Sequence, residues 1–159
     1  MFLKPDYNLK SIYDINLEEL KEKGINSLLF DLDSTLMASK SGEYSEKTLL
    51  WLEKVKQNFF VGIVSNNNNP KYIEKVMQVT NIPIVFSAAK PNTKIAEKFM
   101  SDNCILPQYT AFIGDRPLTD TLCGKRLGCT TILVDSITAD TEKPIVRFVR
   151  KLERLTIKK

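Results

Sequence analysis

The chain has 159 residues, 43% of them apolar and 26% charged, and a formal net charge of +4. That balance describes a soluble globular protein with room for one domain, 1–159, and the mild charge suits an anionic partner without requiring nucleic acid. No apolar run is long enough to span a bilayer, and the opening MFLKPDYNLK breaks at Pro5 and Asp6, so a cytoplasmic protein with no transmembrane segment is expected. The chain has no histidine, which removes Ser-His-Asp, Cys-His and phosphohistidine chemistry and leaves a carboxylate, hydroxyl or amine as nucleophile. Cys104, Cys123 and Cys129 are an odd set with no C-x-x-C, which argues against a disulfide framework, and with no His to complete a zinc site Cys123 and Cys129 read as buried structural thiols.

Strands and helices alternate along the chain. Asn16 caps a short helix over 17–23, with Glu19 at the capping-box position and Gly24 as its stop. The run 25–30 is a buried strand. Ser45 caps a helix over 46–58 with Leu49, Leu52 and Val55 on one face. A second strand covers 59–64, and Pro70 opens a helix to about Val79. The third strand, 82–86, contains Pro83 and belongs near an edge. A helix over 92–103, a strand over 110–113, a helix over 118–127 closed by Gly128, a fifth strand over 130–134 and a helix over 143–155 complete the series. This predicts an α/β, Rossmann-like fold: a five-stranded, mainly parallel sheet with helices on both faces.

Ligands of such sheets bind at the carboxyl ends of the strands. The polar residues collect there. Asp31 and Asp33 follow the first strand, Ser65 the second, and Asp115 and Asp120 the fourth, while Lys90 precedes the helix over 92–103. Carboxylates about 4 Å apart repel by about 4 kcal/mol at an effective dielectric of ~20. A hard divalent cation bound through oxygen relieves this, and Mg²⁺ takes one or two carboxylates plus substrate phosphate. The same ion allows an anionic Asp31 to attack an anionic phosphate, with Asp33 placed to protonate the leaving oxygen and then activate water. Lys90 stands at a helix start, where the macrodipole disfavours a cation, which points to a functional reason for it. The run Asn66–Asn69 reads as turn chemistry around the site, and Thr35 as a loop stabiliser.

FDLDSTL, the Ser65 of IVSN, the Lys90 of AAKPN and the GDRPLTD of 114–120 resemble the four ordered motifs of the haloacid dehalogenase (HAD) superfamily, over about 25–135. That resemblance implies that Asp31 forms an aspartyl-phosphate and that Ser65, with Asn66, and Lys90 bind the substrate phosphate. It also implies that Asp31, the Asp33 backbone carbonyl, Asp115 and Asp120 hold Mg²⁺. Asp33 argues for phosphatase or mutase, since dehalogenases lack an acid there. Only 31 residues separate Asp33 from Ser65 and 24 separate Ser65 from Lys90, so neither interval holds a cap domain and a capless, open site is expected.

The opening LKPDYNLKSIYDINLEELKEKGINSLLFDLDSTL resembles the YqeG-like, class IIIA branch, which includes a mitochondrial phosphatidylglycerophosphate phosphatase; Ser34 stands where that branch more often has Asn. The resemblance implies a phosphorylated substrate, with phosphatidylglycerophosphate preferred. General, phosphoprotein or nucleic-acid-end phosphatases are the alternatives, and a non-catalytic, receiver-like domain is a further one. At the carboxyl end, Ile145, Phe148, Val149, Leu152 and Leu155 follow helical spacing, with Arg147, Arg150, Lys151, Arg154, Lys158 and Lys159 around them. The simplest expectation is an apolar stripe packed on the sheet with a solvated basic face, which could also meet a lipid phosphate at an anionic membrane surface.

Overall fold

The computed structural model describes residues 3–137, 144–155 and 157. Among them six strands form one sheet: β1 (Tyr7–Leu9), β2 (Ser27–Phe30), β3 (Phe60–Val64), β4 (Ile84–Val85), β5 (Thr110–Gly114) and β6 (Thr130–Val134). Their order is β1-β6-β5-β2-β3-β4, and every pairing is parallel. The helices are α1 (Leu17–Glu22), α2 (Glu46–Lys56), α3 (Pro70–Val79), α4 (Lys94–Asp102), α5 (Leu122–Leu127) and α6 (Pro144–Leu155). The expected α/β architecture is present with one more strand than predicted. Tyr7–Leu9 pairs with Ile132–Val134 as an edge strand. The expected third strand shrinks to Ile84–Val85 and lies at the opposite edge, as Pro83 required.

β2 is the centre of the sheet and is buried throughout. Leu28 and Phe30 face one core with Leu52 and Val55 of α2 and Val76 of α3. Leu29 faces the other, with Ala96, Phe99 and Met100 of α4 and Cys123 and Leu127 of α5. Two-sided burial, at roughly 2 kcal/mol per fully buried aliphatic side chain, is what turns a short apolar run into a parallel strand. Burial also pushes the Cys123 thiol up to about 11 and Cys129 up to about 12, so both behave as inert packing groups.

The predicted caps form, Asn16 and Ser45 accepting from the amides of Glu19 and Thr48, and Asn69, not predicted as a cap, accepts from the amide of Tyr72 ahead of Pro70. The capping box does not close, because the Glu19 carboxylate turns instead to the Tyr7 hydroxyl (2.8 Å) and Lys23 (3.0 Å). From β2 the chain builds β3 and β4 on one side and returns to place β5 on the other. The topological switch point therefore lies between β2 and β5, where Asp31 and Asp115 leave the sheet.

α6 departs from expectation. Ile145 (70% exposed), Phe148 (59%) and Leu152 (48%) point to solvent, whereas Glu153 is buried. The stripe does not pack on the sheet. Arg150, Glu153 and Arg154 occupy the inner face because Asp115, Arg116 and Asp135 offer them opposite charges. Lys143, Lys158 and Lys159 lie outside the described residues.

Candidate active site at the carboxyl edge of the sheet

Asp31 follows β2, its amide held by the Ile113 carbonyl at 2.9 Å. The buried Lys90 ammonium bridges Asp31 Oδ1 and Asp120 Oδ1, both at 2.8 Å. Asp120 stands in a π-helical turn, Pro117–Thr121, rather than in the expected α-helix, and its other oxygen accepts from the amides of Asp115 and Arg116 at 3.1 Å each. Gly114 makes this possible: a Cβ there would lie 2.3 Å from the Asp120 carboxylate. Asp115 accepts from the Thr35 hydroxyl at 3.3 Å.

The electrostatics follow from burial and crowding. Loss of solvent and the nearby Asp120 push the Asp31 carboxyl up to about 6, although Lys90 pulls the other way. Burial opposes the Lys90 charge, but Asp120 and Asp31 outweigh it and hold the ammonium above lysine's usual value. Lys90 is not at a helix start. α4 begins at Lys94, so the macrodipole argument made from sequence does not apply, and the paired carboxylates account for the lysine instead.

Asp33 is oriented differently from Asp31. Its Oδ1 accepts from the Tyr72 hydroxyl at 2.5 Å and the Lys40 amide at 3.0 Å, and its Oδ2 from the Asn67 amide at 3.4 Å. Ser65 is buried at the end of β3, where its hydroxyl accepts from the Asn67 amide at 3.1 Å. The Asn66 side chain accepts from the Lys90 amide (2.7 Å) and donates to the Lys90 carbonyl (3.0 Å). Its side-chain amide is thus engaged with the Lys90 backbone, which it holds in place. The loop after β2 puts Ser34 at φ 67°, a backbone region that Asn tolerates better than Ser.

Asp31, Asp33, Ser65, Lys90, Asp115 and Asp120 line one cleft of about 240 Å³, joined by Asn66. Val146 and Arg150 of α6 complete its wall. Neither Tyr72 nor Arg150 was singled out for the site from the sequence. Tyr72 gave no signal beyond a place in the first turn of α3. For Arg150 a signal existed: Glu153, the sole acid of α6, lies one helical turn away, marking a second, charged stripe.

Carboxylate oxygens of Asp31, Asp115 and Asp120 lie within 4.8 Å of one another. Asp33 contributes no carboxylate to this set. Asp115 Oδ2 is buried without a hydrogen bond and faces the Arg150 guanidinium as an ion pair. Three hard carboxylate donors gathered this closely, one of them (Asp31) with a raised pKa, fit an oxygen-binding divalent cation such as Mg²⁺.

A family model described as mitochondrial PGP phosphatase matches residues 1–138. The chain is 31% identical over 153 residues to "Probable phosphatase YqeG" of Bacillus subtilis, covering 96% of this chain and 88% of that protein. It is 26% identical over 167 residues to phosphatidylglycerophosphate phosphatase 1, chloroplastic/mitochondrial, of Arabidopsis thaliana; this covers 99% of the chain but 48% of that protein, about half its length. Among solved structures, a HAD family enzyme from Bacteroides thetaiotaomicron, crystallised as a magnesium complex, aligns with a TM-score of 0.55 at 18% identity, over 79% of this chain and 99% of that one. The last likeness is one of fold.

Proposed function

The chain belongs to the mitochondrial PGP phosphatase family, and from that premise we propose that it is a single capless domain hydrolysing phosphomonoesters through an aspartyl-phosphate on Asp31. A phosphatase of HAD type acts on a phosphorylated substrate, and the receiver-like alternative falls with the family assignment. The observation that carries the proposal is the convergence of Asp31, Asp115 and Asp120 at one strand edge, with Lys90 bridging Asp31 and Asp120.

In the proposed reaction an Asp31 oxygen attacks phosphorus in line with the leaving group. The new O–P bond forms as the ester P–O bond breaks, and Asp33 gives its proton to the departing alkoxide. Asp33, now anionic, takes a proton from water, which attacks the phosphorus of the acyl-phosphate and releases phosphate and Asp31. Tyr72 and the Lys40 amide set the direction of Asp33. Ser65 and Lys90 bind the phosphoryl oxygens, and Asn66 fixes the Lys90 backbone. Mg²⁺ held by Asp31, Asp115, Asp120 and the Asp33 carbonyl would neutralise phosphate charge. Phosphatidylglycerophosphate is the preferred substrate, on the strength of the Arabidopsis relative's name.

Hydrolysis of an aryl phosphate should require Mg²⁺, stop in EDTA and be inhibited by Ca²⁺, whose looser coordination disturbs the in-line geometry. Full activity in chelator contradicts the proposal. Faster turnover of the lipid phosphate than of its water-soluble glycerol analogue supports the substrate, and equal turnover argues for a general phosphatase.

A further inference from the structure

A capless core leaves the cleft open, and α6 is the element that reaches back to it. It is pinned by charge. The Arg116 guanidinium grips Glu153 at 2.8 and 3.2 Å, and Arg154 bonds the Val134 carbonyl at 2.8 Å and pairs with Asp135 at 3.0 Å. These anchors turn Arg150 into the cleft against Asp115 and leave Ile145, Phe148, Leu152 and Leu155 on the outer face, 48–70% exposed. An amphipathic helix of a globular protein ordinarily buries its apolar stripe. Here the stripe is continuous, joins neither core cluster among the described residues, and adjoins the cleft, since Val146 lines the same wall as Arg150.

We propose that α6 is the substrate-recognition arm of this site: Arg150 binds a substrate phosphate oxygen when a divalent cation takes over Asp115, while the outer apolar face rests on the anionic lipid surface that carries the phosphate. The inference rests on the phosphatase function proposed above and assigns it a recognition element. Arginine's planar fork suits phosphate as well as carboxylate, so one guanidinium can pair with Asp115 in the metal-free protein and with the substrate in the loaded one. Its pKa is lowered by burial yet arginine stays charged. The exposed Arg147 and Lys151 beside the apolar stripe supply the charge complementarity for an anionic bilayer. Docked this way, the cleft opens at the level of the headgroups.

Two sets of variants test it in the full chain. Phe148→Asp with Leu152→Asp changes exposed positions only, and should cut sedimentation with phosphatidylglycerol-containing vesicles at least tenfold. The ratio of turnover on vesicle-borne lipid phosphate to turnover on soluble aryl phosphate should fall by a similar factor. Arg150→Ala should weaken inorganic phosphate binding in saturating Mg²⁺ by about tenfold, measured calorimetrically, and raise KM more than it lowers kcat, with Arg150→Lys recovering part of the loss. Unchanged vesicle binding in the double variant, or a dimer lost instead, overturns the lipid face and assigns it elsewhere. Wild-type phosphate affinity in Arg150→Ala, with only Mg²⁺ binding altered, overturns the recognition role and leaves Arg150 a counter-ion of Asp115. A wild-type protein without Mg²⁺-dependent aryl phosphatase activity would overturn the proposed function as well, a failure distinct from either.

Discussion

The strand edge at β2 and β5 and the helix α6 face each other across one cleft but are built on opposite rules. At the strand edge apolar residues are buried on both faces of the sheet, and the charged groups are concentrated where the strands end. In α6 Arg150, Glu153 and Arg154 point inward, while Ile145, Phe148, Leu152 and Leu155 point outward beside the exposed Arg147 and Lys151. The strand edge is held by packing and would keep its shape without the cleft. α6 is held by ion pairs, two of them to Asp115 and Arg116 of the cleft and one to Asp135 outside its lining, so on the proposal above its position responds to what occupies the site. The comparison teaches where rigidity and adaptability should be found: carboxylates on a stiff frame, recognition on a part that can shift.

The largest expected effect lies on the stiff side. Asp31→Asn should reduce turnover by on the order of 10⁴-fold or more while the protein stays folded, as kinetics and circular dichroism together would show. Above pH 6 the variant should melt no lower than the wild type, because the amide resembles the neutral form favoured by burial and Asp120. A cooperative loss of structure in this variant would mean that the carboxylate is a structural member of the frame. Gly114→Ala comes next. The added Cβ meets the Asp120 carboxylate at 2.3 Å, so stability should fall by about 1–3 kcal/mol with a loss of Mg²⁺ affinity, read by denaturant unfolding and calorimetry.

The adaptable side gives a different outcome. Glu153→Ala removes the buried anchor of Arg116 and should speed proteolysis within α6 by roughly tenfold while leaving the core transition nearly in place. Equal loss of both would merge the two regions into one cooperative unit. Between them lies the pH response. The Asp31 value is raised from 3.8 to about 6, so its protonated form supports the metal-free fold fully below pH 3.8, and that support disappears as pH rises through about 6. Stabilisation by Mg²⁺ should accordingly be largest above pH 6 and fade below it, seen as the shift in melting temperature on adding the ion. The smallest effect is at Ser34, whose φ of 67° favours Asn; Ser34→Asn should raise stability by about 0.5–1 kcal/mol in denaturant titrations.

The two regions also differed in how far they could be read from the sequence. β2, β3, β5 and β6 announced themselves as apolar runs because both of their faces are buried. β1 did not: Tyr7 and Leu9 are only partly buried and Asn8 is exposed at the sheet edge, and an alternation of three residues is too short to stand out. The carboxylates were legible because strand ends are where ligands bind in this architecture, and their convergence with Lys90 follows from the strand order. Tyr72 reaches Asp33 from a separate helix across the site, a contact set by tertiary packing. For α6 the periodicity revealed an apolar face but could not tell which side of it meets the body, since the ion pairs that decide this come from Asp115, Arg116 and Asp135, distant in sequence.

The central claim is a covalent phosphoryl group on Asp31. Incubation with a phosphorylated substrate and Mg²⁺, quenching, borohydride reduction and peptide mass spectrometry locate it directly. The account predicts the reduced label on Asp31 alone, with more of it retained in Asp33→Asn because hydrolysis of the intermediate slows. Label on Asp33 or on Ser65, or turnover without any trappable label in either protein, would contradict it.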